Sequence, residues 1–403
     1  MSVRVVAALE IGSSRMRALV GEVFPDQSLN IIGRAEVDSV GIAKGRIQNF
    51  RQASDRLGEL IERAESGAGV TIDSVYLALA GAHLEGASHP AVTRVRDPSN
   101  RVSPRDLQRV EREAKSKELA AGRVYIHFIR NSYRLDGRRV EDPVGMTAEE
   151  VGVTYWLLHG GEKAVSEHIH LVNSQSLKVA DVIVSSVASA CMVASAEEKR
   201  AGCLTVDIGA GTTDYALYEH GSIVRTGSIP VGGGHLTNDL TVGLRVLPDA
   251  AEELKCERGA AVTEPGDRGE TVHLYGDLTI GDKAIDLSSL NRILEVRLEE
   301  LFELIRDECG ESRLREGSSG ALLTGGTSRL AKVDTLAERV LGIPARVASH
   351  PDWVAEELRG PESSTVLGVL HYALEAEADR QAAQARRRGP GRVGRFSRFL
   401  RSS

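Results

Sequence analysis

One strand–turn–strand scheme occurs twice in the chain, about 200 residues apart, and this echo constrains the fold more than any other feature. Residues 3–37 read as a strand, a tight glycine turn, a second strand, a turn (FPDQS) and a third strand (LNIIGRAEV). Residues 203–231, CLTVDIGAGTTDYALYEHGSIVRTGSIPV, repeat it. Each copy opens with a near-continuous apolar run, the pattern of a strand buried on both faces. Each then gives acid-Ile-Gly: Glu10-Ile11-Gly12 and Asp207-Ile208-Gly209. The echo predicts two similar α/β domains facing each other. A chain of 403 residues is also too long for one ordinary core.

Between the copies, periodicity predicts helices over 50–66, 103–120 and 162–177, the second with Ser103 as N-cap and Pro104 at its first position. Strands are predicted at 75–81, at YIHFIRNSYRL, at VGVTYWLLHG and at 179–186. After the second copy, 235–258 reads as helical at both ends and 264–270 as a polar loop. Residues 288–312 read as a long amphipathic helix, and 320–330 as an apolar strand entering a Gly-rich turn before a further helix. The Ala/Gln/Arg/Gly-rich stretch 376–392 reads as a flexible linker. No apolar run approaches the ~20 residues that span a bilayer. The apolar start is short and closed by Glu10, unlike a signal peptide, which predicts a cytosolic chain. Cys191, Cys203, Cys256 and Cys309 form no C-x-x-C pair and sit near no His cluster, so they read as reduced thiols.

Three glycine turns carry chemistry. In the first, Gly12, Ser13, Ser14 and Arg15 follow the strand that ends near Glu10. Such a turn aims backbone N–H groups at one point, and its hydroxyls add donors for a phosphate. The second, Gly209, Ala210, Gly211, Thr212 and Thr213, repeats the device, and Asp207 at its strand end is a candidate Mg²⁺ carboxylate, directly or through water. The third, Gly325, Gly326, Thr327 and Ser328, predicts a flat backbone surface and a hydroxyl-capped helix start, suited to an adenosine with phosphates nearby. One such turn alone is most often only a turn. All three, in this order within duplicated units, predict ATP with Mg²⁺ in a cleft between the domains.

The order resembles the superfamily of actin, heat-shock chaperones and sugar kinases. On longer strings the chain is similar to the FtsA family of bacterial cell-division proteins: RALVGEVFPDQSLNIIG, VDSVGIAKGRI, SVYLALAGAHLEG, DPVGM, SLKVADVIVSSVASA, VDIGAGTTDYALYEHGSI, IPVGGGHLTNDLTVGL, AEELKCERG and LTGGTSRLAKVDTLAERVLGIPARV. The match covers roughly residues 3–375. It implies an α/β, actin-like ATPase fold of two duplicated domains around a nucleotide cleft, with an inserted FtsA-type subdomain. Residues 1–84 and 161–201 would form subdomain 1A, 85–160 the inserted 1C, 202–234 and 318–378 subdomain 2A, and 235–317 subdomain 2B. The last would receive the C-terminal peptide of FtsZ. The resemblance further places Gly232, Gly233 and Gly234 near the outer phosphates, and Glu252 and Lys255 beside ribose and adenine. From residues alone that pair is equally an exposed helical salt bridge. The implied activity is a cell-division adaptor that self-assembles, tethers FtsZ filaments at the cytoplasmic face of the membrane at the division site, and helps recruit later division proteins.

Glu10 stands where the wider superfamily has Asp, and no separate general base or nucleophile is evident. Glu10 and Asp207 are therefore the candidate catalytic carboxylates of at most a weak ATPase, with ATP chiefly a structural and assembly ligand. The charge is uneven. Net charge is −7, yet residues 386–403 hold seven arginines and no acids, leaving −14 on residues 1–385. At 100° per residue, Val393, Phe396, Phe399 and Leu400 share a ~120° arc opposite Arg395, Arg398 and Arg401. Linker 379–391 followed by an amphipathic helix over 392–403 would suit an anionic membrane surface. A disordered basic tail or a nucleic-acid contact is the alternative, and the resemblance favours membrane over nucleic acid. Rival readings are a PilM-like pilus adaptor, a sugar kinase, which needs a catalytic Asp over a sugar pocket, and a chaperone, for which too little chain remains.

Overall fold

In a computed structural model, residues 4–24, 26, 28–274 and 283–387 are described. The membrane-directed residues Val393, Arg395, Phe396, Arg398, Phe399, Leu400 and Arg401 lie outside them. The first domain opens with β1 (Arg4–Ile11), β2 (Arg15–Val23) and β3 (Leu29–Asp38). A small hairpin, β4 (Ile42–Ala43) and β5 (Arg46–Ile47), leads into α1 (Phe50–Ala68), whose N-cap is Asn49, and then β6 (Ser74–Leu79). Next come β7 (Leu84–Arg94), α2 (Pro104–Ala114), β8 (Arg123–Leu135), β9 (Arg138–Val140) and β10 (Glu150–Gly161). Helix α2 has the expected Ser103 cap, closed into a capping box by Asp106, but it ends at Ala114 rather than continuing to 120. The chain returns through α3 (Glu162–Asn173), β11 (Lys178–Val184), α4 (Ser185–Val193) and α5 (Ala196–Ala201).

The second copy is β12 (Cys203–Ile208), β13 (Thr213–Glu219) and β14 (Ser222–Ile229). It is followed by α6 (Gly233–Leu244), α7 (Pro248–Arg258), β15 (Thr271–Leu274), β16 (Lys283–Asp286), α8 (Leu287–Cys309) and α9 (Glu311–Gly317). The chain closes with β17 (Ala321–Thr324), α10 (Val333–Leu341), β18 (Ala345–Val347) and α11 (Ser364–Arg387).

The two large sheets are copies in topology as well as sequence. One has the order β11-β6-β1-β2-β3, the other β14-β13-β12-β17-β18. In each, three antiparallel strands come from the repeated unit, and its first strand then pairs in parallel with a later one, β1 with β6 and β12 with β17. Burying β1 and β12 on both faces explains their unbroken apolar runs. The third sheet, β7-β10-β8-β9, packs α2 on one face over its own small core around Val110, Tyr133, Val151 and Tyr155. It leans on the second copy: Trp156 Nε1 donates to Thr226 Oγ1 at 3.0 Å, and Asn131 Nδ2 donates to the Ile223 carbonyl at 3.1 Å.

Helix α11 corrects two expectations. It runs to Arg387, through much of the segment read as linker, because Ala, Gln and Arg are good helix formers and the first breaker in sequence is Gly389-Pro390. It also packs on the first domain, not the second, against α4, β1, β2 and β6. Gly368 permits this approach, since a Cβ there would lie 2.0 Å from the Ala188 carbonyl oxygen. Further along, Glu377 accepts from Tyr76 (2.7 Å), Arg380 (2.8 Å) and Arg4 (3.2 Å), clasping α11 to the sheet. Among the described residues no helix is long and apolar enough to cross a membrane.

Candidate functional site

The loops after β1 and β12 are built alike. Gly12 N–H donates to the Arg15 carbonyl and Gly209 N–H to the Thr212 carbonyl, both at 3.0 Å. The duplicated hairpins therefore present the same turn from opposite domains, and they nearly touch: a Cβ on Gly211 would lie 2.3 Å from Ser13 Oγ. Between them opens a cleft of about 440 Å³. It is lined by Glu10, Gly12 to Arg15, Asp207, Gly209 to Thr212, Gly233, Glu252, Lys255 and Gly325 to Thr327, so most of the expected residues converge.

Four do not reach it in the expected way. The Thr213 hydroxyl donates to the Val231 carbonyl (2.8 Å) and the Ser328 hydroxyl to the Gly325 carbonyl (2.7 Å), so both brace turns. Gly232 and Gly234 serve packing. Gly234 N–H binds the Ala210 carbonyl at 2.8 Å, and a Cβ on Gly232 would sit 2.4 Å from the Gly209 carbonyl oxygen. The third turn is also not a helix cap. Residues Gly326–Arg329 form a single 3-10 turn, and α10 starts later, after Lys332. This turn is stitched to the second by Thr327 Oγ1 donating to the Gly209 carbonyl at 3.1 Å. Lys255 is nearly buried, and its ammonium donates to Glu252 (2.6 Å), Thr237 Oγ1 (2.9 Å) and the Gly233 carbonyl (3.2 Å). That rules out a merely exposed helical salt bridge for this pair.

Several lining groups were not foreseen. Arg17 lies across the β1–β2 ladder from Glu10, 3.9 Å away, and it donates to Glu36 at 2.6 Å. Thr365, near the start of α11, donates to Asp207 Oδ2 at 2.7 Å. Arg329 and Glu362 form a two-pronged pair at 2.8 and 2.7 Å. Asp214, directly across β13 from Asp207, completes a trio of acids with Glu10.

This trio carries the electrostatics. Burial, opposed by Arg17 and reinforced by Asp207, pushes the Glu10 carboxyl up to about 7. Burial also lifts Asp214 to about 7, against a bond from Ser228 and with the Asp207 charge adding to it. Asp207 is raised by burial as well. Glu10 Oε2 and Asp214 Oδ1 are buried with no hydrogen-bond partner. The donors are all oxygens, the kind a hard divalent cation such as Mg²⁺ prefers, but among the described residues no group of three or more His, Cys, Asp or Glu side chains is placed to hold a metal ion. A stability signature follows. A carboxyl raised from 4.5 to about 7 keeps its proton in the fold where the unfolded chain has lost it, so stability falls as pH rises from about 4.5 to about 7. Glu10→Gln, neutral throughout, is therefore expected to gain up to about 3 kcal/mol on the parent between pH 5 and pH 8 in Mg²⁺-free unfolding experiments. A constant difference across that range would show that Glu10 is not held protonated.

Comparison with known proteins bears on the family and the fold. The family described as "Cell division protein FtsA" matches residues 204–368, and "SHS2 domain inserted in FTSA" matches 81–158, the region of the third sheet. Cell division protein FtsA of Pseudomonas aeruginosa is 31% identical over 383 residues, covering 93% of this chain and 91% of that protein. Its counterpart in Neisseria meningitidis is 28% identical over 413 residues, covering 99% of each. Among solved structures, the PilM-PilN type IV pilus biogenesis complex aligns with a TM-score of 0.61 at 18% identity, over 92% of this chain and 98% of that one. MreB 5 of Spiroplasma citri bound to AMPPNP aligns at 0.56 and 14%, over 96% and 100%. These structural likenesses establish the actin-like fold.

Proposed function

Because the chain belongs to the cell division protein FtsA family, we propose that it is an ATP-binding, actin-like adaptor that self-assembles and ties FtsZ filaments to the inner face of the membrane. The observation that carries this reading is the cleft in which a phosphate-type turn from each duplicated domain meets beside Glu10, Asp207 and Asp214. A polyphosphate there would touch both domains at once, so nucleotide would favour the closed arrangement over the open one. Mg²⁺ would enter with the phosphates and offset their charge, with Asp207 beside it through water. The related MreB 5, bound to AMPPNP in its structure, supports a triphosphate in such a cleft. In this reading the nucleotide serves assembly, and hydrolysis is slow.

The FtsZ peptide finds a suitable seat between α6 and α8. A groove of about 690 Å³ there has Leu244, Ile293 and Val296 as apolar surface, and Arg297 bridging Asp239 and Glu300 at its edge. Apolar anchors with a charged rim suit a short linear peptide. Val296 is 48% exposed, so Val296→Asp changes the groove without disturbing the core. This variant is expected to weaken binding of a C-terminal FtsZ peptide at least tenfold by fluorescence anisotropy. The reading as a whole is tested by FtsZ recruitment to anionic vesicles. Full-length chain with MgATP should bring FtsZ down with the vesicles, and Val296→Asp should reach the vesicles but leave FtsZ behind. Failure of the full-length chain to recruit FtsZ would overturn the adaptor reading.

A further inference from the structure

We propose that Lys44 is the residue that distinguishes a nucleoside triphosphate from a diphosphate, by taking the terminal phosphate at the mouth of the cleft. The inference rests on the nucleotide reading above and extends it to a residue that no cleft motif contains. Lys44 sits at the tip of the β4–β5 hairpin, and the chain goes to some trouble to hold it there. Its backbone is left-handed, φ 51°, an uncommon conformation for lysine, between the positive-φ glycines Gly41 and Gly45. A Cβ on Gly41 would lie 2.4 Å from the Asn49 carbonyl oxygen, so the hairpin base is pressed onto the start of α1. A Cβ on Gly45 would lie 2.6 Å from the Ala80 carbonyl oxygen, so its tip is pressed onto the end of β6. The chain entering the hairpin is tied to the first phosphate turn by Ser39 N–H donating to the Ser14 carbonyl at 2.8 Å. The hairpin is thus fixed on three sides.

What it is fixed against is the meeting point of the two phosphate turns. A Cβ on Gly211 would lie 2.3 Å from Ser13 Oγ and 3.0 Å from the Lys44 backbone nitrogen, so Lys44 stands beside both turns. Its side chain is exposed, and no ion pair among the described residues engages its ammonium. Its charge reaches the second domain: the His235 imidazole is held below its ordinary value by burial and then by Lys44. His235 stands in the first turn of α6, with its Nδ1 accepting from Gly232 N–H at 3.1 Å. An anion lodged here would be shared between a lysine of the first domain and the helix start of the second. A diphosphate, ending deeper in the cleft, would leave Lys44 unengaged. Charge-assisted contacts of this kind discriminate strongly, because the wrong ligand leaves the cation without its partner.

The test compares ATP-Mg²⁺ and ADP-Mg²⁺ binding by calorimetry for the full-length chain, Lys44→Arg and Lys44→Asn. Asparagine tolerates the left-handed backbone, so it removes the charge while keeping the hairpin. The expected result is a loss of at least tenfold in ATP affinity for Lys44→Asn, less than threefold for ADP, and recovery of most ATP affinity in Lys44→Arg. Equal losses for the two nucleotides would reduce Lys44 to a hairpin residue, and no loss for either would remove it from the site. Both outcomes overturn the assignment while leaving the cleft reading intact. Failure of the parent chain to bind either nucleotide would overturn both.

Discussion

Gly325→Ala is expected to lower nucleotide affinity by at least a hundredfold and to destabilise the chain by about 2–4 kcal/mol, whereas Gly326→Ala beside it changes stability by less than about 0.5 kcal/mol. The contrast follows from backbone geometry. Gly325 has φ 84° and ψ 162°, a region that residues with a Cβ scarcely enter. The added methyl would also lie 2.4 Å from Asp207 Oδ1, 2.6 Å from the Ile208 carbonyl oxygen and 2.7 Å from Ile208 N. Two of those neighbours belong to the backbone of a central strand and cannot swing away. The third is the Asp207 carboxylate, which would be driven off its bond to Thr365. At Gly326 the nearest atom to a new Cβ is Glu362 Cβ at 3.9 Å, ordinary contact. Thermal unfolding and a fluorescent-ATP titration of the two variants decide the matter. Similar behaviour of the pair would show that the third turn does not set the position of Asp207.

The duplication was legible because its cause is local. A strand buried on both faces must be apolar throughout, and a turn that exposes its amides must be glycine-rich, so β1 and β12 announce themselves in single runs of sequence. Glu10 and Arg17 show a signal that could have been used. Once 3–23 is read as a hairpin closing at Gly12-Arg15, the ladder sets those two residues opposite each other. Thr365 offers no such route. It meets Asp207 across 158 residues of chain, and nothing in the local pattern at either end points to the other. The same holds for the β7-β10-β8-β9 order: β8 and β10 are readable as strands, β7 and β9 were missed, and no local pattern carries their pairing. Helix α11 was missed for a different reason. Its last turns lack an apolar stripe, and composition alone does not separate a solvated helix from a linker. Lys44 lay within a string that carried the resemblance, yet its role depends on a fixed hairpin whose glycine contacts, at Asn49 and Ala80, exist only in three dimensions.

Truncation after Arg388 is expected to abolish sedimentation with anionic vesicles while leaving nucleotide binding unchanged. The segment removed carries Arg392, Arg395, Arg398 and Arg401 and no acid. At about 1 kcal/mol per arginine near an anionic surface, its loss removes roughly a thousandfold in partition. Phe396, Phe399, Leu400 and Val393 add apolar area that would be inserted. The remaining body, residues 1–388, carries net charge −11 and is repelled by the same surface. A single short segment of this kind binds weakly. Copies arrayed along a filament bind together, so MgATP, by promoting assembly, should strengthen pelleting of the intact chain several-fold. Electrostatics and insertion are separated by the double variant Phe396→Ser and Phe399→Ser, which keeps every arginine. Binding that survives this change but disappears in 0.5 M salt would make the tail a polyelectrolyte contact rather than an inserted helix. A truncated chain that still pellets with vesicles, with or without MgATP, would place the membrane contact elsewhere and end the tether reading of the tail.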